Sequence, residues 1–270
     1  MTAHNLDNKA LRLFIVLGGF FVANALLAEL IGVKIFSLEQ TLGLQNADFQ
    51  IFGVDNLSFN LTTGVLLWPV VFVMTDIINE YYGKRGVKLL SYLTAGLVLY
   101  AFALVYVGIQ LVPADFWPQS HLAANVSSSE QLALKRDVGN LNTAFQLIFG
   151  QGLWIIIGSL IAFLIGQLID VVVFHRVKKL TGERYIWLRA TGSTLVSQLI
   201  DSFVVLFVAF YIGAGWSLSL VLAIGVMNYI YKVFIAIAMT PLLYVAHHFI
   251  DAYLGEELAS NMKNQALGED

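Results

Sequence analysis

Long apolar runs separated by short polar segments dominate the chain. The runs cover about residues 11–31, 61–82, 87–112, 150–174, 190–212 and 216–248. A helix needs roughly 20 apolar residues to cross the hydrocarbon of a bilayer, so the pattern predicts six membrane-spanning helices. The fourth lies within a longer apolar stretch beginning near Thr143, whose first turns are expected along the membrane interface. The sixth is also long and is expected to tilt, or to bend near Pro241. Ala23-Asn24-Ala25 resembles a signal-peptidase site, but the apolar run continues past it, so the first helix is read as uncleaved.

Between the first two runs, Phe49-Gln50-Ile51-Phe52 alternates and predicts a short hairpin. Residues 113–141 hold Pro113, Pro118 and Ser127-Ser128-Ser129, and read as an extramembrane loop with a short surface helix. No soluble domain is visible. The expected fold is all-α: one polytopic integral-membrane domain over residues 1–270.

Composition agrees. Of the 270 residues, 58% are apolar and 12% charged, against about 25% charged in soluble domains; mean hydropathy is +0.76. That balance excludes a disordered chain and an ordinary cytosolic enzyme. The net charge of −3 offers no basic surface for nucleic acid. The absence of cysteine removes disulfides and thiolate chemistry. Lysine and arginine gather on one side if both termini are cytoplasmic. Lys9, Arg12, Lys84, Arg85, Lys88, Arg176, Lys178, Lys179, Arg184, Arg189 and Lys263 then lie inside, and Lys34, Lys135 and Arg136 outside.

Against this background the polar residues within the spans stand out. They are Asn24 and Glu29; Asp76, Asn79 and Glu80; Gln167 and Asp170; Gln198 and Asp201; Asn228 and Lys232. A charge at a helix centre costs about 2.5–3.5 kcal/mol on insertion scales, so each calls for a reason. Asp76, Asn79 and Glu80 share one helix face at i, i+3 and i+4. Gln-Leu-Ile-Asp occurs twice, at 167–170 and 198–201. A rise of about 1.5 Å per residue predicts two layers. Asn24, Gln198, Asp201, Asn228 and Lys232 form a central layer, and Asp76, Asn79, Glu80, Gln167 and Asp170 an inner one.

Structural readings compete at each position. Buried amides glue helices together; Asp201 and Lys232 can form a structural ion pair; Glu29 and Glu80 can reach the interface; Lys178-Lys179 is first a topology signal. Enzyme chemistry is poorly supported. No G-x-S-x-G lies in a span, the aspartates lack an intramembrane-protease context, there is no P-loop, and His247-His248 is expected at the interface. No cofactor or metal is called for.

Four ordered motifs carry a resemblance. Trp68-Pro69 precedes Thr75-Asp76-Ile77-Ile78-Asn79-Glu80-Tyr81-Tyr82-Gly83. Gly166-Gln167-Leu168-Ile169-Asp170 precedes Phe174 and Arg176; Ser193-Thr194-Leu195 precedes Gln198 and Asp201-Ser202; Tyr229-Ile230-Tyr231-Lys232 precedes Pro241. Together with Asn24, these segments resemble the queuosine-precursor transporter family, also called the vitamin uptake transporter family. Only the length of the 113–141 loop departs from it.

The resemblance implies a six-helix bacterial inner-membrane importer of 7-deazaguanine bases such as the cyano and aminomethyl forms. Its fold is expected to be similar to the substrate-binding subunits of energy-coupling-factor vitamin transporters. A guanine-like base presents a ring N–H beside an amino group, which a carboxylate accepts in parallel, while an amide reads the neighbouring carbonyl. Gln198 with Asp201, or Gln167 with Asp170, could supply that pair. Asp76, Asp170 or Asp201 is expected to hold the base edge and Lys232 to balance the charge. Trp68, Tyr81, Phe203 and Tyr229 are the candidate stacking faces.

The expected partners are a nucleobase-like small molecule and the bilayer, with a second copy of the chain or an energy-coupling module as protein partners. Such a module would dock on small residues, for which Ala23, Ala25 and Ala28 are candidates. Import by the chain alone, coupled to a proton or passive, is the reading placed first. A subunit that needs a separate ATPase is second; a protease or membrane scaffold trails both.

Overall fold

The computed structural model describes residues 3–117, 127, 129–130, 141–150, 153–181 and 185–268. It is mostly helical. Helix α1 covers Ala3–Ile31, α2 Leu38–Thr41, α3 Trp68–Gln110, α4 Leu141–Phe149, α5 Leu153–Thr181, α6 Ile186–Leu206, α7 Leu218–Leu254 and α8 Glu256–Leu267. A π-helical turn, Phe207–Ile212, extends α6. Five stretches are long and apolar enough to cross a membrane: Asn8–Ile31, Trp68–Gln110, Leu141–Thr181, Ile186–Ile212 and Leu218–Leu254.

The second of these stretches is not one helix. Gly83 breaks α3 with φ 66° and ψ −168°, a combination essentially restricted to glycine. Residues 68–82 and 84–110 are thus separate helical segments joined at the glycine that closes the Thr75–Gly83 motif. The second predicted span begins later than residue 61. Asn60–Thr62 forms a strand, β4, paired antiparallel with β1, Ile35–Ser37, and a 3-10 turn, Thr63–Leu66, leads into α3. The long fourth run divides into α4 and α5 on either side of Gly150. The sixth runs through Pro241 as one helix, capped by Ser217, whose Oγ accepts from Leu220 N–H. Beyond it, Gly255 at φ 88° turns the chain into α8, which the hydropathy pattern did not announce.

The hairpin expected at 49–52 is present. Strands β2, Phe49–Ile51, and β3, Val54–Leu57, pair across Phe52 (φ 52°) and Gly53 (φ 76°). Positive φ at both turn residues is the signature of the tight turn whose twist matches paired strands. Glu39 pins this polar region together, because its carboxylate is buried and accepts from Phe59 N–H at 2.8 Å. The surface helix expected within 113–141 lies mostly outside the described residues, as do Lys135, Arg136 and Arg184.

The chain forms two compact units. One comprises Met1–Leu97 with Leu153–Asp270, the other Val98–Gly152. In the smaller unit, Trp117 meets the edge of Phe145, and Phe145 packs on Phe149 at 4.9 Å. In the larger, α5 packs chiefly on α6, and α6 on α7. Its core joins Phe21 and Ala25 of α1, Val71, Ile78 and Val87 of α3, Phe163 and Phe174 of α5, and Leu243 and Leu254 of α7.

Gly83→Ala places a Cβ where the backbone tolerates none, at a cost of order 1–3 kcal/mol. The detergent-solubilised variant is expected to melt several degrees below wild type. An unchanged melting temperature would mean that the break does not need glycine.

Candidate functional site

Three helix faces of the larger unit enclose a cavity with about 580 Å³ of empty space, counted out to its mouth. Val65, Trp68, Pro69, Phe72, Val73 and Asp76 form the first wall, Thr191, Thr194 and Gln198 the second. The third is the α7 face from Tyr231 and Lys232 to Leu243. Trp68, Phe72 and Asp76 stand four residues apart, one above another on α3; Thr191, Thr194 and Gln198 do the same on α6 at three and four. The walls are largely apolar, with a few polar groups among them, as small-molecule sites usually are.

Asp76 and Gln198 are the buried polar members, 5% and 3% exposed. Thr194 Oγ1 donates to Asp76 Oδ2 at 3.4 Å. Asp76 Oδ1 and Gln198 Nε2 have no hydrogen-bond partner among the described residues. Two residues that line one cavity thus hold a buried acceptor and a buried donor unsatisfied, and unmet polar groups of this kind are costly to keep. Trp68 packs against Phe72 and Phe163, with ring centres 6.3 and 5.7 Å away. Lys232, on the third wall, forms an ion pair with Asp201 at 2.5 Å.

The other predicted residues make contacts within the protein. Glu80 is clamped by Arg189, whose Nε and Nη2 reach Oε2 and Oε1 at 3.0 and 2.8 Å, and by Lys178 Nζ at 3.1 Å. All three side chains are at most 1% exposed. Glu80 therefore does not reach the interface, and Lys178 and Arg189 are buried partners of a carboxylate as well as part of the cytoplasmic charge pattern. Asn79 Oδ1 bonds His175 Nε2 at 2.8 Å, and Gln167 Oε1 accepts from Thr75 Oγ1 at 3.0 Å. Asp170 Oδ1 accepts from Ser197 Oγ at 3.3 Å. His247 is buried, not interfacial, and meets the Tyr81 hydroxyl at 3.1 Å; that hydroxyl also donates to Asp251 at 2.7 Å.

Asn24 turns back onto its own helix and donates to the Phe20 carbonyl. Asn228 lines a different cavity, with residues 56–61, Ile224 and Met227. Glu29 bonds Ser159 and faces Asp201 electrostatically. The main cavity thus draws on both predicted layers: Asp76 from one, Gln198 and Lys232 from the other. Of the aromatic candidates only Trp68 lines it, while Phe203 packs against Gly225. Phe72, Thr191, Thr194 and Tyr231 were not singled out as lining residues by sequence. The available signal was spacing: Phe72 and Thr194 lie four residues before Asp76 and Gln198, and Thr191 seven before Gln198, whereas Tyr231, next to Lys232, had none.

A family model described as "Putative vitamin uptake transporter" matches residues 62–246. The chain belongs to the vitamin uptake transporter family. The matched segment contains every residue that lines the cavity, from Val65 to Leu243. With its five apolar stretches, the transporter is a multi-pass inner-membrane protein. It is 29% identical over 202 residues to a Bacillus subtilis (strain 168) protein named "Probable queuosine precursor transporter", covering 73% of this chain and 76% of that one. It is 24% identical over 190 residues to the "Queuosine precursor transporter" of Escherichia coli (strain K12), covering 68% and 71%. No solved structure matches the transporter.

Glu80→Gln would strand two buried cations, and breaking a buried pair costs about 3–5 kcal/mol. The variant's melting temperature in detergent is expected to fall by roughly 10 °C. A fall of less than about 2 °C would show that Lys178 and Arg189 do not depend on this carboxylate.

Proposed function

We propose that this transporter imports queuosine precursors, 7-deazaguanine bases such as the cyano and aminomethyl forms, and holds them between Asp76 and Gln198. One observation carries the reading: an unpartnered carboxylate oxygen and an unpartnered amide N–H₂ belong to two residues that line a single, mostly apolar cavity. The carboxylate accepts the ring N–H and amino group of a guanine-like edge. The amide donates to the adjacent carbonyl. Trp68, Phe72 and Tyr231 supply flat faces for the ring. The names carried by the relatives support the substrate class.

In this reading the segments on either side of Gly83 cross the membrane separately. At about 1.5 Å per residue, the 43 residues of α3 would otherwise span roughly twice the hydrocarbon thickness. Counted with the other four stretches, the chain crosses six times and both termini are cytoplasmic, in an arrangement similar to energy-coupling-factor substrate-binding subunits. The chain works without a separate ATPase. Of the small residues that could dock one, Ala25 and Ala28 are already buried inside the chain, which leaves Ala23.

Asp76→Asn removes the charge and turns one of the two acceptor oxygens into a donor, and Gln198→Leu removes the amide donor. A lost partner to a buried group is worth about 1–3 kcal/mol, so each variant is expected to lower precursor uptake and affinity by roughly five- to a hundredfold while still reaching the membrane. Uptake at the wild-type rate by both would refute the assignment.

A further inference from the structure

Asp76 does not stand alone behind the cavity wall. Asp170, fully buried on α5, lies close enough for their charges to act on one another, and Glu80 and Arg189 act on Asp76 as well. The α6 hydroxyls connect the two aspartates. Thr194 donates to Asp76, Ser197 donates to Asp170 Oδ1, and Ser193 and Thr194 lie beside Asp170. One oxygen of each aspartate, Asp76 Oδ1 and Asp170 Oδ2, has no hydrogen-bond partner among the described residues.

Charge counting then matters. Three buried carboxylates, Asp76, Glu80 and Asp170, face two buried cations, Lys178 and Arg189. Both cations contact Glu80 directly, and among the described residues these three carboxylates outnumber the two cations by one charge. Among the described residues, the charged and titratable groups on the surrounding helices do not supply a further counter-charge. Lys232 of α7 is bound to Asp201 of α6; Glu29 of α1 adds a further carboxylate facing Asp201. His175 of α5 is engaged by Asn79, and His247 of α7 by Tyr81. A ligand that fills the cavity displaces the solvent that screens this charge. Two carboxylates that share a site cannot both stay ionised cheaply.

We propose that Asp76 and Asp170 bind one proton together with the ligand, so that the transporter is a proton symporter with Asp170 as the proton's seat. This rests on the proposed ligand site at Asp76. The bound base donates its hydrogen bonds to an ionised Asp76, and a proton from the outer solution forms the O–H bond on Asp170. That same proton leaves to the cytoplasm when the base is released. No electron transfer or other reactant is involved.

The test uses the full-length protein and the cyano form of 7-deazaguanine. In detergent, the dissociation constant is measured by thermal shift between pH 5 and 9. For the wild type it is expected to rise with pH, by up to about tenfold per unit where one proton is co-bound. Asp170→Asn, which mimics the proton-loaded state, is expected to bind with wild-type low-pH affinity and no pH slope. His247→Gln is expected to keep the slope. In proteoliposomes carrying a pH dye inside, adding the base outside is expected to acidify the lumen for the wild type and not for Asp170→Asn.

Wild-type binding that ignores pH or strengthens as pH rises, an unchanged slope in Asp170→Asn, or a slope lost in His247→Gln overturns the proposal. If Asp170→Asn does not fold, the wild-type lumen signal decides: acidification supports symport and its absence refutes it. The two readings fail differently. Binding that needs Asp76 but ignores pH removes only the proton, whereas binding unaffected by Asp76→Asn removes the ligand site itself.

Discussion

The larger unit depends on a charge that has nowhere else to go. Glu80 is buried among the helices, and its carboxylate is held by a guanidinium fork from α6 and an ammonium from α5. In an apolar surround such a cluster must be complete, because each missing partner leaves an uncompensated ion. Completing it fixes the relative height of three helices. That register brings the Asp76 face of α3 opposite the Thr194 and Gln198 face of α6, four residues from Glu80 on α3 and five to nine from Arg189 on α6. Packing of Phe21, Ile78, Phe163 and Phe174 fills the space around it.

The polar residues of the bundle separate by whether an unmet polar atom belongs to a residue that lines the cavity. Glu80 has its counter-ions, and Asn79, Gln167 and Asn24 each make one contact on a neighbouring or their own helix, although Asn79 Nδ2 and Gln167 Nε2 stay without a partner among the described residues. These contacts hold helices together, as buried polar groups in membranes commonly do. Asp76 and Gln198 keep one atom each unsatisfied, and both atoms belong to residues that line the same cavity. What sets Asp76 and Gln198 apart from the other residues with an unmet polar atom is the cavity that they line.

Much of this was legible in the chain. Long apolar runs announce the helices because lipid leaves the backbone no alternative, and the alternation at Phe49–Phe52 announced the hairpin. The boundary near residue 61 was missed because Asn60-Leu61-Thr62 is apolar enough to extend a helix but pairs with Ile35–Ser37 instead. Lys178 and Arg189 look like interfacial charges when read by position alone. Their burial depends on a carboxylate about a hundred residues away, which no local pattern reveals. The site residues were recognisable as out of place in lipid. Which of them meet at one cavity was not, because Asn24, Asn228 and Asp76 look alike until the helices are rotated into place. The C-terminal α8 was invisible to hydropathy for a simpler reason: its sequence is mostly polar, and it is held by Ala259, Met262 and Ala266.

The most direct test is a structure of the transporter with the cyano form of 7-deazaguanine bound. The account predicts the base in the cavity beneath Trp68, its N–H edge within hydrogen-bond distance of Asp76 Oδ1 and its carbonyl within reach of Gln198 Nε2. A base seated instead against Asn228 and the 56–61 strand segment, or bound through Asp201 with Asp76 untouched, would contradict it.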